Sequence, residues 1–363
     1  MSSATAPTLL KILTSVETLS RLRFRDDLFR AFAARALDLV QGRMAILYRA
    51  TSGFYGMGLV PLGWCVPGDD DPHWEEYAEP ETILPADPFL AEIIAESADT
   101  HLSGLRVQGS GDGWRLACTI ETHTREHLVL ELQTPYPPER EVLEGIRIFL
   151  QCFENQLRQW EYANLDTLTG LLNRKTFDEQ FDQFIAEAER AERRVNERRG
   201  DDFRGNRPCW LGVVDIDHFK SVNDRFGHQI GDQVLQEVAS AMLGLFRGSD
   251  KLFRFGGEEF VIMLRGVSED DVFNIFDRFR AAISTLDIAP VGMVTTSVGY
   301  ARIDPSYKPG ELLGRADQAL YYAKAHGRDQ VRGFDDLIMS GAIAMPPTAQ
   351  PAVDAGGGEL FFD

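Results

Sequence analysis

The stretch Leu252-Phe253-Arg254-Phe255-Gly256-Gly257-Glu258-Glu259-Phe260-Val261-Ile262-Met263-Leu264 decides how this chain is read. Two apolar, strand-like runs flank a Gly-Gly pair. That pattern predicts a β-hairpin, with the glycines supplying the positive φ that tight turns need. The two carboxylates that follow repel each other and gain nothing from packing. Glycines carry no Cβ, so a bulky anion can approach their backbone closely. Glutamates beside that space suggest a divalent cation held between protein and anion.

A second decisive run lies upstream. Cys209-Trp210-Leu211-Gly212-Val213-Val214-Asp215-Ile216-Asp217 is apolar until it ends in acids. A buried strand that delivers a carboxylate at its C-terminal end is a common way to hold a metal above a sheet. It continues as His218-Phe219-Lys220-Ser221-Val222-Asn223-Asp224-Arg225-Phe226-Gly227-His228-Gln229-Ile230-Gly231-Asp232. Further out stand Asp166-Thr167-Leu168-Thr169-Gly170-Leu171-Leu172-Asn173-Arg174 on one side and Lys324-Ala325-His326-Gly327-Arg328 on the other.

Taken together, these stretches resemble the GGDEF family, the diguanylate cyclases, in its GGEEF form. Asp166–Arg174 is similar to the DxLTGLxNR opening, Asp215–Asp232 to DxDxFKxxND…GHxxGD, and Lys324–Arg328 to KxxGR. The resemblance covers roughly residues 164 to 334. It implies an α/β fold of the palm-type nucleotidyl cyclase kind over 166–336, and the condensation of two GTP into cyclic di-GMP and two pyrophosphates by a homodimer.

The resemblance also implies roles. Asp215, Glu258 and the carbonyl of Ile216 would hold Mg²⁺, or Mn²⁺ in its place; hard oxygens suit such ions. Glu259 would stand near the ribose 3′-oxygen and a second metal position, and Lys220 would complete the catalytic set. Asn223 and Asp232 would read guanine, whose ring N–H and exocyclic amine match a carboxylate acceptor. Backbone N–H groups at Phe219 and Lys220 would cradle phosphate, with His228, Gly256 and Gly257 also lining the substrate. Lys324 and Arg328 would meet the β- and γ-phosphates as point charge and fork. Arg247 and Asp250 match the RxxD pattern of the family's product-inhibition site, and Arg278 the arginine that completes it from a neighbouring subunit. One departure concerns Asp329, where the family has Asn; that puts the local turn geometry in question.

The first half carries no such motif. Residues 1 to about 24 read as a short helix or arm. Asp26 to Val40 has a helical apolar stripe of Leu28, Phe29, Phe32, Ala33, Ala36, Leu37 and Val40. Met44–Tyr48 reads as a strand and Gly53–Val66 as one or two more. Pro88–Ser97 reads as a helix, and Trp114–Glu121 with His127–Leu132 as an antiparallel pair. The aspartates at 69–71 read as a solvated loop, since the trailing Glu of a calcium loop is missing. His123 and His127 read as a solvated hairpin tip. The element order over 1–138 resembles a GAF domain, with PAS as the alternative, and implies a sensory or dimerisation module with a small ligand that the sequence does not name.

From Glu139 to about Leu165, the residues Leu143, Ile146, Leu150, Phe153, Leu157 and Trp160 recur at spacings of three and four. That stripe over 139–165 reads as the seam of a parallel dimeric coiled coil, in preference to a helix packed on its own domain. Asn164 at the next seam position would fix register. The charged, arginine-rich segment at 187–207 reads as a helix end with a flexible loop, and 337–363 as a disordered tail.

Composition bounds the rest. The chain has 363 residues, room for about two domains. The formal net charge of −19 argues against a nucleic-acid partner, which needs clustered cations. No stretch has the roughly 18 apolar residues of a membrane span, and the N-terminus makes a poor secretory signal; a cytoplasmic location is expected. Cys65, Cys118, Cys152 and Cys209 have no CxxC spacing and read as lone thiols. The competing functional reading is a GGDEF-like module that holds GTP or cyclic di-GMP without turnover. The full acidic constellation argues against it.

Overall fold

The computed structural model describes residues 5–53, 56–68, 84–100, 104–111, 113–122, 127–186, 208–304 and 306–344. The aspartates at 69–71, His123, the arginine-rich segment at 187–207 and the tail from 345 lie outside the described residues.

The first half is built on helices α1 (Thr5–Ser20) and α2 (Arg25–Val40). Strands β1 (Met44–Gly53), β2 (Gly56–Cys65) and β3 (Leu84–Pro85) follow, then α3 (Pro88–Thr100). Strands β4 (Leu105–Ser110), β5 (Gly113–Glu121) and β6 (His127–Thr134) complete one sheet, in the order β3-β2-β1-β6-β5-β4 with every pairing antiparallel. Alternation sends Ala45, Leu47, Leu116, Cys118, Leu128, Leu130 and Leu132 to the face that packs on α1 and α2. The opposite face carries Tyr48, Ala117 and Val129 against Phe89, Leu90, Ile93 and Ile94 of α3. The predicted strands and helices of this half are present. Strand β4 was not anticipated, because Leu105–Ser110 is mostly exposed and has little apolar pattern.

Helix α4 (Arg140–Asn164) corrects the reading of a dimeric seam. Its stripe is covered by the same chain. The Phe153 ring stacks on Phe32 of α2 with centroids 3.9 Å apart, and Phe149 stacks on the same ring at 5.4 Å. Trp160 Nε1 donates to the carbonyl of Arg23 at 2.6 Å. Asn164 Nδ2 turns back to the Trp160 carbonyl at 2.8 Å. A heptad stripe records only that one side of a helix is dry; the α1–α2 hairpin supplies the cover.

The second half begins with β7 (Leu172–Asn173), a short 3₁₀ turn at Arg174–Thr176 and α5 (177–186). Then come β8 (Cys209–Ile216), α6 (Phe219–Phe226), α7 (His228–Leu245), β9 (Lys251–Arg254), β10 (Glu259–Leu264) and α8 (Glu269–Ser284). A two-strand ribbon, β11 (Asp287–Ile288) and β12 (Gly292–Met293), leads to β13 (Thr296–Ile303), α9 (Pro309–Ala325), β14 (Val331–Gly333) and α10 (Phe334–Met339). The main sheet runs β14-β13-β8-β10-β9-β7.

Both faces of this sheet are covered, which explains why its strands read as continuous apolar runs. Trp210, Val214, Ile216, Phe260 and Ile262 face α7 and α8. Leu211, Val213, Val261 and Met263 face the layer that contains Ala316, Ala319 and Leu320 of α9. Gly299 sets how close α9 sits: a Cβ there would lie 2.1 Å from the Leu320 nitrogen and 2.2 Å from the Ala316 carbonyl. The expected disordered tail starts too early, since Leu337 of α10 is buried and Ile343 packs on the core. All four cysteines are free thiols. Among the described residues no helix is long and apolar enough to cross a membrane.

Candidate active site

The hairpin read from Leu252 to Leu264 is present, with β9 antiparallel to β10 and Phe260 opposite Arg254. One of the two reasons expected for its glycines, positive φ, does not hold. Positive φ occurs at Gly227 and Gly327 but not at Gly256 or Gly257. A Cβ at Gly256 would fall 2.8 Å from Glu259 Oε2, so a larger residue there would move the end of that glutamate. Gly257 faces open space, with nothing within 4 Å of a Cβ. That suits an anion approaching its backbone.

Strand β10 also pairs with β8, and the register sets Glu259 directly opposite Asp215. The Ile216 N–H donates to the Glu258 carbonyl at 3.4 Å. Thus the two acidic segments, far apart in sequence, end on one edge of the sheet. Lys324, at the end of α9, brings Nζ to 2.7 Å from Asp215 Oδ2. Burial pushes the carboxyls of Asp215, Glu258 and Glu259 above their ordinary values. The charge of Asp215 raises both glutamates further, and the Lys324 ammonium opposes the rise at all three. Arg328 also pulls Asp215 downward, so it faces the same cluster. Such mutual destabilisation of carboxylates is relieved by a cation.

Among the described residues no group of three or more His, Cys, Asp or Glu side chains forms a ready metal cage. Mg²⁺ needs less: it is held by one or two carboxylates and completes its shell with water and phosphate. Asp215, Glu258 and the Ile216 carbonyl fit that donor set.

Beyond β8 the chain reverses at His218, whose φ is 59°, and enters α6 at Phe219. The first backbone bond of i→i−4 type runs from Val222 to His218 at 3.3 Å, so the N–H groups of Phe219 and Lys220 precede the helical ladder. Lys220 and His228 are exposed. Gly231 shows how closely α6 and α7 bring Asn223 and Asp232 together. A Cβ there would lie 1.9 Å from Asn223 Oδ1, which places Asn223 against the first turn of α7 next to the exposed Asp232.

The expected inhibitory residues also form one patch. The Arg247 N–H donates to Asp250 Oδ2 at 3.0 Å and the Arg265 N–H to Asp250 Oδ1 at 3.3 Å. Burial raises the Asp250 carboxyl, and those two N–H groups oppose it. Arg278 Nη2 donates to the Leu245 carbonyl at 3.3 Å, which sets Arg278 of the same chain beside this turn.

Other residues of the site escaped the sequence reading. Arg254 donates to both oxygens of Asp166, at 3.1 and 3.2 Å, and to the Gly257 carbonyl at 2.9 Å. Burial works against the Asp166 charge, yet hydrogen bonds from Thr169 and Arg254 hold its carboxyl below the ordinary value. Asp317 of α9, raised by burial, is close enough to raise Glu259 in turn. Its only signal was a position seven residues before Lys324, on the same side of the helix. Asp217, in the second acidic slot after β8, is buried; it accepts from Thr295 Oγ1 and Ser297 Oγ, each at 2.7 Å.

Residues 163–330 match the family described as diguanylate cyclase, GGDEF domain. The diguanylate cyclase DgcP of Pseudomonas aeruginosa is similar, at 32% identity over 251 residues, which is 67% of this chain and 35% of that one. The response regulator PleD of Caulobacter vibrioides is 36% identical over 256 residues, 68% of this chain and 53% of that one. A solved GGDEF domain of DgcB from Caulobacter crescentus, in complex with c-di-GMP, is 34% identical; the alignment covers 48% of this chain and 94% of that one, with a TM-score of 0.41. Residues 163–330 are therefore a GGDEF domain, the domain of diguanylate cyclases. The chain spans about a third to a half of the length of these two curated relatives.

Proposed function

We propose that the protein is a diguanylate cyclase. It condenses two GTP into cyclic di-GMP and two pyrophosphates, with one GTP held on each of two facing GGDEF domains. The observation that carries this reading is the pairing of β8 with β10, which sets Glu259 opposite Asp215 under the reach of Lys324.

The chemistry follows from the residues. Asn223 and Asp232 orient guanine through its Watson–Crick edge, which disfavours adenine. Lys324 and Arg328 neutralise the triphosphate tail and hold it in line for loss of pyrophosphate. The N–H groups at the start of α6 take phosphate oxygens. Asp215, Glu258 and the Ile216 carbonyl would hold Mg²⁺, which supplies Lewis-acid stabilisation of phosphate charge when bound. Glu259 stands beside the ribose 3′-hydroxyl and receives its proton as the oxygen attacks the α-phosphorus of the opposite nucleotide. Because each domain presents a single half of the reaction, a homodimer is part of the mechanism.

The Arg247–Asp250 turn with Arg278 is the product-inhibition site of this reading. The first half acts as a GAF-like or PAS-like regulatory domain. Contacts between α2 and β9 support its coupling to the catalytic half: Lys251 Nζ lies 3.4 Å from Asp26 Oδ2, directly after the Arg247–Asp250 turn.

The test is incubation of the purified protein with GTP and Mg²⁺, with nucleotides resolved by chromatography. Cyclic di-GMP and pyrophosphate are expected in a ratio of one to two. GTP bound but recovered intact at high protein concentration would instead indicate a binding module.

A further inference from the structure

The turn that presents Arg328 adopts a conformation that its residues do not favour. Gly327, Arg328 and Asp329 have φ of 117°, 59° and 44° in succession. Two consecutive non-glycine residues in the left-handed region need support from their surroundings. Part of it is the ordinary end of a helix: the Arg328 N–H donates to the Ala323 carbonyl at 3.0 Å. Gln330 adds to it, with Nε2 donating to the Ala323 and His326 carbonyls at 2.8 Å each, and further support comes from two side chains outside the turn.

From the sheet, Asp217 Oδ2 accepts the Asp329 N–H at 3.0 Å. This carboxylate is itself fixed by the hydroxyls of Thr295 and Ser297, so it offers a rigid acceptor. From α8, Arg280 Nη1 donates to Asp329 Oδ1 at 2.7 Å while its Nε donates to Asp277 Oδ1 at 2.6 Å. Asp277 and Asp329 therefore grip one guanidinium in a fixed orientation. The departure from Asn at position 329 acquires a reason: a carboxylate there makes a charged bond to Arg280 that an amide makes only weakly.

We infer that Arg280 and Asp217 are positioning residues for the triphosphate, acting through Asp329 to hold Arg328 toward the Asp215 cluster. Neither touches the nucleotide. Their effect falls on recognition of the β- and γ-phosphates and spares recognition of the base, which belongs to α6 and α7. The inference rests on the cyclase reading, since it takes Arg328 as a phosphate ligand.

The test separates those two layers. The probes are 3′-deoxy-GTP, which keeps the triphosphate and lacks the attacking hydroxyl, and guanosine monophosphate, which lacks the β- and γ-phosphates. Both are titrated calorimetrically into the full chain with Mg²⁺. In Arg280→Gln the 3′-deoxy-GTP affinity is expected to fall about five- to tenfold, the scale of one partly exposed charged hydrogen bond. The monophosphate affinity stays unchanged. Arg280→Lys recovers part of the loss. The double variant Arg280→Gln/Asp329→Asn is no worse than Arg280→Gln alone, because the two residues act as one unit. Equal loss for both probes, no loss for either, or losses that multiply in the double variant would each overturn the inference. If Arg280→Gln does not fold, Asp329→Asn carries the same comparison between the two probes. A wild-type chain that binds neither probe sinks the cyclase reading itself, whereas a wild type that binds both and variants that match it sink only this inference.

Discussion

Gly299→Ala tests the contact that brings Lys324 to the acidic edge of the sheet. The added Cβ would meet the Leu320 nitrogen at 2.1 Å and the Ala316 carbonyl at 2.2 Å. Both are backbone atoms, so no rotamer change relieves the clash. Helix α9 must recede by about 1 Å before that contact becomes tolerable. Overpacking of this kind costs about 3 kcal/mol at the upper end of its usual range. In a domain of this size that lowers the melting temperature by about 6–12 °C. The functional cost is separable. Lys324 rides on the last turn of α9 with its ammonium 2.7 Å from Asp215, and a displacement of about 1 Å at a positioned group costs on the order of 100-fold in rate. The assays are a thermal melt followed by circular dichroism and the initial rate of cyclic di-GMP formation at a temperature where the variant is folded. Gly257→Ala is the control: its Cβ meets nothing within 4 Å, so its melting temperature should stay within about 2 °C of wild type. Should Gly299→Ala melt like the wild type and turn over at the same rate, the close seat of α9 on β13 would not be what positions Lys324.

Further outcomes are expected elsewhere. Glu258→Gln should abolish turnover while leaving the melting temperature within a few degrees; retained activity would reject its role as a metal ligand. Phe153→Ala empties a fully buried ring site between α2 and α4 and should cost about 3–4 kcal/mol in a denaturant titration. That loss should not depend on protein concentration, whereas a seam between two chains would make it do so. Asp26 gives a pH signature. Burial alone would raise its carboxyl, but Lys251, Arg25 and Arg30 hold it below the ordinary 3.8, so the folded state favours the charged form. Its contribution to stability is therefore complete above about pH 4 and is lost as pH falls through the depressed value. Asp26→Asn should flatten the acid limb of the stability curve; an unchanged limb would remove this ion pair from the account. Arg247→Ala should release product accumulation from its plateau, and an identical progress curve would rule out the inhibitory role of that turn.

The sequence carried the local chemistry of this protein to a considerable depth. The apolar strand that carries Asp215, the hairpin strands on either side of Gly256 and Gly257, and the Lys324–Arg328 motif were legible because apolar periodicity, glycines and terminal charges act over a few residues. What could not be read were the partners of those local features. The α4 stripe announced a dry face without saying whose atoms would dry it, and Phe32 and Arg23 of the same chain turned out to do so. The glycines of the hairpin were expected for their φ as well as for open space, but only the structure shows that neither has a positive φ and that Gly256 lies against the Glu259 carboxylate. Asp217, Arg254 and Arg280 looked like ordinary charges until strands and helices distant in sequence came within hydrogen-bond reach of them. The division has a plain cause. Backbone preference and amphipathic pattern are encoded within a turn or two of chain, whereas burial partners, ion pairs and close backbone contacts exist only after segments tens of residues or more apart have met.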